Sequence, residues 1–323
     1  MCKHLVLVVG VGRSGTSLFA GISGQLGYRI PQPEIVADDT NPKGFGEPKW
    51  VVDFHTRLMR RKRVTVFDAR PKAWELTAAI SELPDVKSEL RAWLKGELDG
   101  PEDVVVVKDP RIGWFLPLWN DAAQNAGVAP AFVTMLRHPA QILTSAKKSY
   151  GTWQTDASRA AAWINVMLQT VRQTRGAKRA FVPYPALLEN WAGELQRIGP
   201  ALGIDAMTNV DRAAHPEVDA FVDPSLFRNR TGWEGLEVPQ RVIDLAEHVW
   251  SLFEDPEANA AAFDAARGEY DALYGEAEAI SHSTVIAARP RKNAAAAKAP
   301  TPSGAKGLVP VSVKRRVKRL LKG

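Results

Sequence analysis

Cysteine is almost missing from this 323-residue chain: Cys2 is the single one. That excludes an internal disulfide and any cysteine-based metal cluster. No apolar stretch approaches the ~18 residues of a membrane span, and the run at the N-terminus is too short for the hydrophobic region of a signal peptide. These absences lead us to expect a cytoplasmic protein with a reduced thiol. Acidic residues are also absent from Arg289 onward, where eleven Lys/Arg stand, so the formal +6 divides into −5 for residues 1–288 and +11 for the rest. The body is mildly acidic, and the basic balance gives no argument for a specific nucleic-acid partner.

What is present begins with the stretch His4 to Leu26. Leu5–Val9 is an apolar run of strand length, followed by Gly10-Val11-Gly12-Arg13-Ser14-Gly15-Thr16-Ser17 and then by Leu18, Phe19, Ile22 and Leu26 at helical spacing. Gly27 stands where a helix terminates. Strand, glycine turn, helix is an order that aims backbone N–H groups and a positive helix end at one point, which suits a phosphate or sulfate. The spacing matches the P-loop template G-x-x-x-x-G-K-[ST] at Gly10, Gly15 and Ser17, but Thr16 replaces the lysine, and Arg13 is the one cation in the loop.

With 45% apolar residues the chain can build a core. Further strands are read at Val104–Val107, Ala131–Leu136 and Ala180–Pro183. Helices are read at Trp50–Arg60, around Val86–Leu98, after Pro139, over 157–175 with Asp156 as N-cap, over Leu187–Ile198, and near 239–254 and 257–273. Strands separated by helix-length segments predict a three-layer α/β sandwich, a mainly parallel sheet with helices on both faces. Ligands bind beyond the carboxyl ends of strands in such sheets. The Gly10 loop, Lys108-Asp109-Pro110-Arg111 and Arg137-His138-Pro139 all follow strands, so the topology gathers them on one rim. Pro31–Pro48, with four prolines, is a loop carrying Glu34, Asp38, Asp39 and Glu47.

Arg13-Ser14-Gly15-Thr16-Ser17 together with Arg137-His138-Pro139 and Ser145 resembles the sulfotransferases that use 3′-phosphoadenosine 5′-phosphosulfate (PAPS). It is most similar to the bacterial branch whose loop reads G-x-x-R-S-G-T-S and whose second strand ends in K-D-P-R. The resemblance runs from about residue 5 to about 230 and includes Asn41–Phe45 and Phe221–Leu226. It implies a P-loop-like fold and transfer of a sulfonate group from PAPS to a hydroxyl of a carbohydrate or glycolipid. It implies that Gly12, Arg13, Ser14, Gly15, Thr16 and Ser17 hold the 5′-phosphosulfate, and that Arg137 with Ser145, eight residues on, holds the 3′-phosphate. A tyrosine near the adenine falls on Tyr184, although Pro185 stands where a glutamate commonly follows. A cation on the leaving oxygen falls on Arg13, with Lys108 as a second. No metal is required by this scheme.

The general base stays open. Pro110 occupies the place of the histidine used by animal members, which leaves Glu47, then Glu34, then His55 as candidates. Arg111 either lines the acceptor side or pairs with Asp109, Trp153 is a candidate for the acceptor wall, and Arg228 and Arg230 are candidates to close over the 3′-phosphate. The alternative enzyme is a nucleotide or small-molecule kinase, because Val104–Asp109 reads as a strand ending in a magnesium-binding Asp. A catalytically silent nucleotide-binding protein at a membrane is the other alternative.

The domain reading is 1–280 for the α/β body, 281–310 for a disordered Ala/Pro/Lys-rich linker, and 311–323 for a basic amphipathic helix. In that helix Val313, Val317, Leu320 and Leu321 share one face among six Lys/Arg. Such a segment suits an anionic membrane surface, which would place the protein peripherally on the inner face of the membrane. The oligomeric state is not legible in the sequence.

Overall fold

The computed structural model describes residues 3–39, 41–151, 154–223 and 232–288. Trp153, Leu226, Arg228, Arg230 and the segments 289–310 and 311–323, on which several expectations fall, lie outside them. Four strands, β1 (His4–Val9), β2 (Val104–Lys108), β3 (Pro130–Leu136) and β4 (Lys178–Pro183), form one sheet in the order β2-β1-β3-β4. Every pairing is parallel: Leu5 faces Val105 on one side and Pro130 on the other, and Ala131 faces Lys178. The chain order thus leaves β1 between β2 and β3, with the loop after it at the middle of the sheet's carboxyl edge.

Both faces of the sheet are covered, and β1 shows how the residues divide. Leu5 to Val9 are all fully buried. Because side chains alternate along a strand, Leu5, Leu7 and Val9 enter one apolar cluster and Val6 and Val8 enter the other. At roughly 1.5–3 kcal/mol for each buried Val or Leu side chain, a strand with no polar face is stable only between two layers.

The second cluster is completed by α1 (Thr16–Gln25) and, further along the chain, residues 184–218. The first is completed by α2 (Lys49–Lys62), α3 (Ala73–Ser81), α4 (Pro84–Leu98), α5 (Leu116–Asn125), α6 (Pro139–Tyr150) and α7 (Asp156–Thr174), and by residues 245–270. The three-layer α/β arrangement is the one expected. Among the described residues no helix is long and apolar enough to cross a membrane.

Some elements differ from the expectation. Thr155, not Asp156, caps α7: its hydroxyl accepts the Ser158 N–H at 3.1 Å, while Asp156 is the first helical residue and binds Lys147 at 3.0 Å. The helix expected over 187–198 is two, α8 (Tyr184–Glu189) and α9 (Trp191–Leu202), because the Asn190 side chain caps the second by accepting the Gly193 N–H. Three short or late helices follow, α10 (Asp205–Thr208), α11 (Pro216–Phe221) and α12 (Gln240–Ser251). The last, α13 (Ala260–Ala288), is longer than expected. Residues 281–288, read as the opening of a linker, are helical in the structure, since they carry no Pro or Gly to stop the helix. The described residues up to 277 form one compact unit, and 278–288 fall outside it.

Candidate active site

The carboxyl ends of β1, β2 and β3, the loop 31–48 and the segments 64–70 and 221–223 enclose a cavity of about 810 Å³. Its floor is the turn between β1 and α1. Gly15 has φ 100°, a conformation that costs an L side chain but not glycine, and a Cβ there would lie 2.2 Å from the Tyr184 ring. The turn is therefore closed from below by an aromatic face, and Gly15, Thr16 and Ser17 present the start of α1 to the cavity. The first N–H groups of a helix have no acceptor within it, and its N-terminal end carries partial positive charge. Ser14 departs from its expected place: it is fully buried, its N–H donates to Val11 O at 3.2 Å, and it is not among the residues lining the cavity.

Three cations converge on this floor. Arg13 Nε donates to Ser145 Oγ at 3.1 Å, across 132 residues of chain. Arg137, at the end of β3, donates to Arg13 O at 3.1 Å and lies over the Tyr184 ring at 4.9 Å. Burial, and then the neighbouring Arg13 charge, lower the Arg137 pKa from its ordinary value, partly offset by Tyr184. Burial raises that of Tyr184. Two guanidinium groups held close enough to repel in a partly buried site favour an anion between or beside them. Lys108, at the end of β2, is buried, and its Nζ donates to Ser17 Oγ at 3.2 Å, Phe45 O at 3.1 Å and Glu47 Oε1 at 2.5 Å.

Glu47 reaches this lysine because the ends of loop 31–48 are pinned to each other: Ile35 N–H donates to Glu47 O and Lys49 N–H to Pro33 O, both at 2.8 Å. Burial raises the Glu47 pKa, against the opposing pull of Lys108. Of the three candidate bases Glu47 alone lines the cavity. Glu34 lies outside the lining and accepts from the Gln32 side chain at 2.6 Å. His55 is fully buried behind it, its Nδ1 paired with Asp109 Oδ2 at 2.8 Å and its Nε2 accepting the Trp119 indole N–H at 3.0 Å. With both ring nitrogens committed and burial lowering its pKa, His55 has no path to an acceptor. It sits inside because it continues the apolar face of α2.

Asp109 is likewise buried and absent from the cavity lining. Its carboxylate takes the His55 ring N–H and, through the other oxygen, the Arg111 guanidinium at 2.7 Å and the Arg111 N–H at 2.9 Å. Burial opposes the charge, but Arg111 and His55 together hold the carboxyl well below its usual range. The strand-end aspartate that kept a kinase in view thus faces inward. Arg111 pairs with Asp109, as one of its two expected roles had it, and also lines the cavity.

Several lining residues have no local sequence signal, among them Phe67, Lys148 and Asp223. They come from loops and helix ends whose neighbours are distant in sequence, and neither spacing nor composition marks them.

The class defined by fold and site is a parallel α/β protein with a glycine turn at the central strand–helix junction and cationic side chains gathered on the rim beside it. No family model matches the chain, and no curated protein matches it. Among solved structures it is similar to the sulfotransferase domain of the Synechococcus PCC 7002 olefin synthase, at 18% identity over 76% of this chain and 95% of that one, TM-score 0.40. The sulfotransferase domain from the curacin biosynthetic pathway matches at 15% identity over 76% and 98%, TM-score 0.41. A sulfotransferase from Mycobacterium tuberculosis H37Rv matches at 14% identity over 68% and 76%, TM-score 0.34. The functional reading rests on this chain's own residues.

Proposed function

We propose that the protein is a sulfotransferase that moves the sulfonate group of PAPS to a hydroxyl of a carbohydrate or glycolipid acceptor. The observation that carries this reading is the contact of the glycine turn with the second cation–hydroxyl pair, through Arg13 to Ser145 and Arg137 to Arg13 O. A donor with an anion at each end matches two adjoining anion sites, and a cavity of about 810 Å³ falls in the ~300–1,000 Å³ range of small-molecule sites.

In this reading Gly12, Arg13, Gly15, Thr16 and Ser17 take the phosphosulfate, Arg137 and Ser145 the 3′-phosphate, and Tyr184 packs near the adenine. Glu47 accepts the proton of the acceptor hydroxyl as its oxygen bonds to sulfur. The bond from sulfur to the bridging oxygen breaks, and the charge left on that oxygen of adenosine 3′,5′-bisphosphate is met by Arg13 and Lys108. Positioning and electrostatics supply most of such a transfer, as in phosphoryl transfer. Binding to the folded state raises the unfolding temperature, so adenosine 3′,5′-bisphosphate at concentrations above its Kd is expected to raise Tm and ATP with magnesium to leave it unchanged. A shift with ATP and none with the bisphosphate would return the reading to a kinase.

A further inference from the structure

Residues Val66 to Arg70 have no regular secondary structure, yet each of their five carbonyls accepts a hydrogen bond from a side chain distant in the sequence. Trp114 Nε1 donates to Val66 O at 3.3 Å and Gln154 Nε2 to Phe67 O at 2.8 Å. Asn165 Nδ2 donates to Asp68 O at 2.9 Å and to Arg70 O at 3.2 Å, and the Tyr270 hydroxyl donates to Ala69 O. The Asp68 carboxylate accepts the N–H groups of Thr65, just before the segment, and of Arg70, at 3.2 and 3.0 Å. Asn165 is fully buried, and its oxygen accepts from Trp74 at 2.9 Å and Arg267 at 2.7 Å, so its hydrogen bonding is complete. A surface loop can leave its carbonyls to water. One in which five successive carbonyls are held by four side chains remote in the sequence is a fixed wall.

The wall presents Phe67 and Val66 to the cavity. A Cβ placed on Gly12 of the glycine turn would lie 3.8 Å from the Phe67 ring and 3.9 Å from Pro110 Cβ, so this apolar surface stands directly beside the anion-binding floor. Ile35 and Val52 line the same cavity, as does Glu47. We infer that the acceptor is a hydroxyl carried on an apolar body, an aryl or alkyl alcohol or a sugar with a hydrocarbon tail, and that Phe67, fixed by its capped loop, selects it against a free sugar. This rests on the sulfotransferase reading for the reaction, but binding of the apolar body to the wall is independent of that reading.

The test compares sulfonate transfer from PAPS to 2-naphthol, octyl β-D-glucoside and glucose, with separate measurements of 2-naphthol binding and of the Tm shift by adenosine 3′,5′-bisphosphate. The expected result is a kcat/KM at least 10-fold higher for the two apolar-bodied acceptors than for glucose. Phe67→Ala should raise KM for those two by roughly 10-fold or more with little change in kcat or in the bisphosphate shift, since aromatic burial supplies binding and not chemistry. Phe67→Leu should restore most of the loss, and Ile35→Asn serves as the second variant should Phe67→Ala fail to fold. Glucose turned over as well as the others, or Phe67→Ala acting equally on all three, would overturn the inference with the sulfotransferase reading intact. Binding of 2-naphthol lost in Phe67→Ala, with no bisphosphate shift in any form, would keep the wall and remove the sulfotransferase reading.

Discussion

Glu47 is buried against Lys108, whose Nζ donates to it. Burial raises the Glu47 pKa and the lysine pulls it back, so a base at this position loses its proton above the ordinary carboxylate range. A rate that needs ionised Glu47 rises with pH through that value. The acid limb of kcat/KM is therefore expected above about pH 4.5, the ordinary range for a glutamate. Lys108→Met removes the opposing cation and should move the limb to higher pH as well as slow turnover. Glu47→Gln should abolish transfer while leaving the affinity for adenosine 3′,5′-bisphosphate unchanged; retained turnover would take Glu47 out of the mechanism. Behind this pair, Asp109 is held well below its usual range by Arg111 and His55 despite burial. The unfolded chain binds that proton near pH 4 and the folded chain only at much lower pH. The stabilisation is therefore complete above about pH 4 and is lost as the pH falls further. Asp109→Asn breaks a buried pair and should cost about 3 kcal/mol at pH 7. Urea unfolding should show the gap between variant and wild type narrowing from pH 4 downward; a gap independent of pH would mean that the charge of Asp109 contributes nothing.

At the scale of elements, the turn between β1 and α1 supplies the cation that differs from a P-loop lysine. Arg13 is anchored on Ser145 from α6, which fixes its guanidinium within the cavity. Arg13→Ala is expected to lower kcat by roughly 10²–10³, the cost of a lost donor on a developing oxyanion; near wild-type turnover would exclude it. This turn, the ends of β2 and β3 and the approach of Arg137 to it are legible in the sequence because each follows a largely apolar run of strand length, and parallel topology brings such ends together. Glu47 is legible only as one acid in a proline-rich loop, since its position depends on the pinning of Ile35 to Glu47 across that loop. Phe67 is not legible at all: what holds it are donors from Trp114, Gln154, Asn165 and Tyr270, each remote in the chain. Ser14 and His55 mislead for a related reason. Motif position and helical spacing specify where a backbone runs, while burial decides which way a hydroxyl or an imidazole faces.

For the whole molecule, residues 1–288 and the stretch from Arg289 onward carry opposite net charge, −5 and +11. We propose that the basic segment 311–323 holds the enzyme against an anionic membrane surface, where an acceptor with a hydrocarbon tail is concentrated. Full-length protein is expected to co-sediment with vesicles containing phosphatidylserine, and a 1–288 truncation to stay in solution with its turnover of 2-naphthol unchanged. Equal behaviour of both forms would give the tail another purpose.

Arg13 lies at φ 74°, in the left-handed region where an L residue with a Cβ is disfavoured by about 1–2 kcal/mol. Glycine would relax the turn there, but it would remove the guanidinium from the cavity. On the proposed reading, the chain keeps a local conformational penalty at the residue that meets the leaving oxygen. Selection for thermal hardiness alone would drive this position toward glycine, strengthening the fold while removing the cation that the proposed transfer needs.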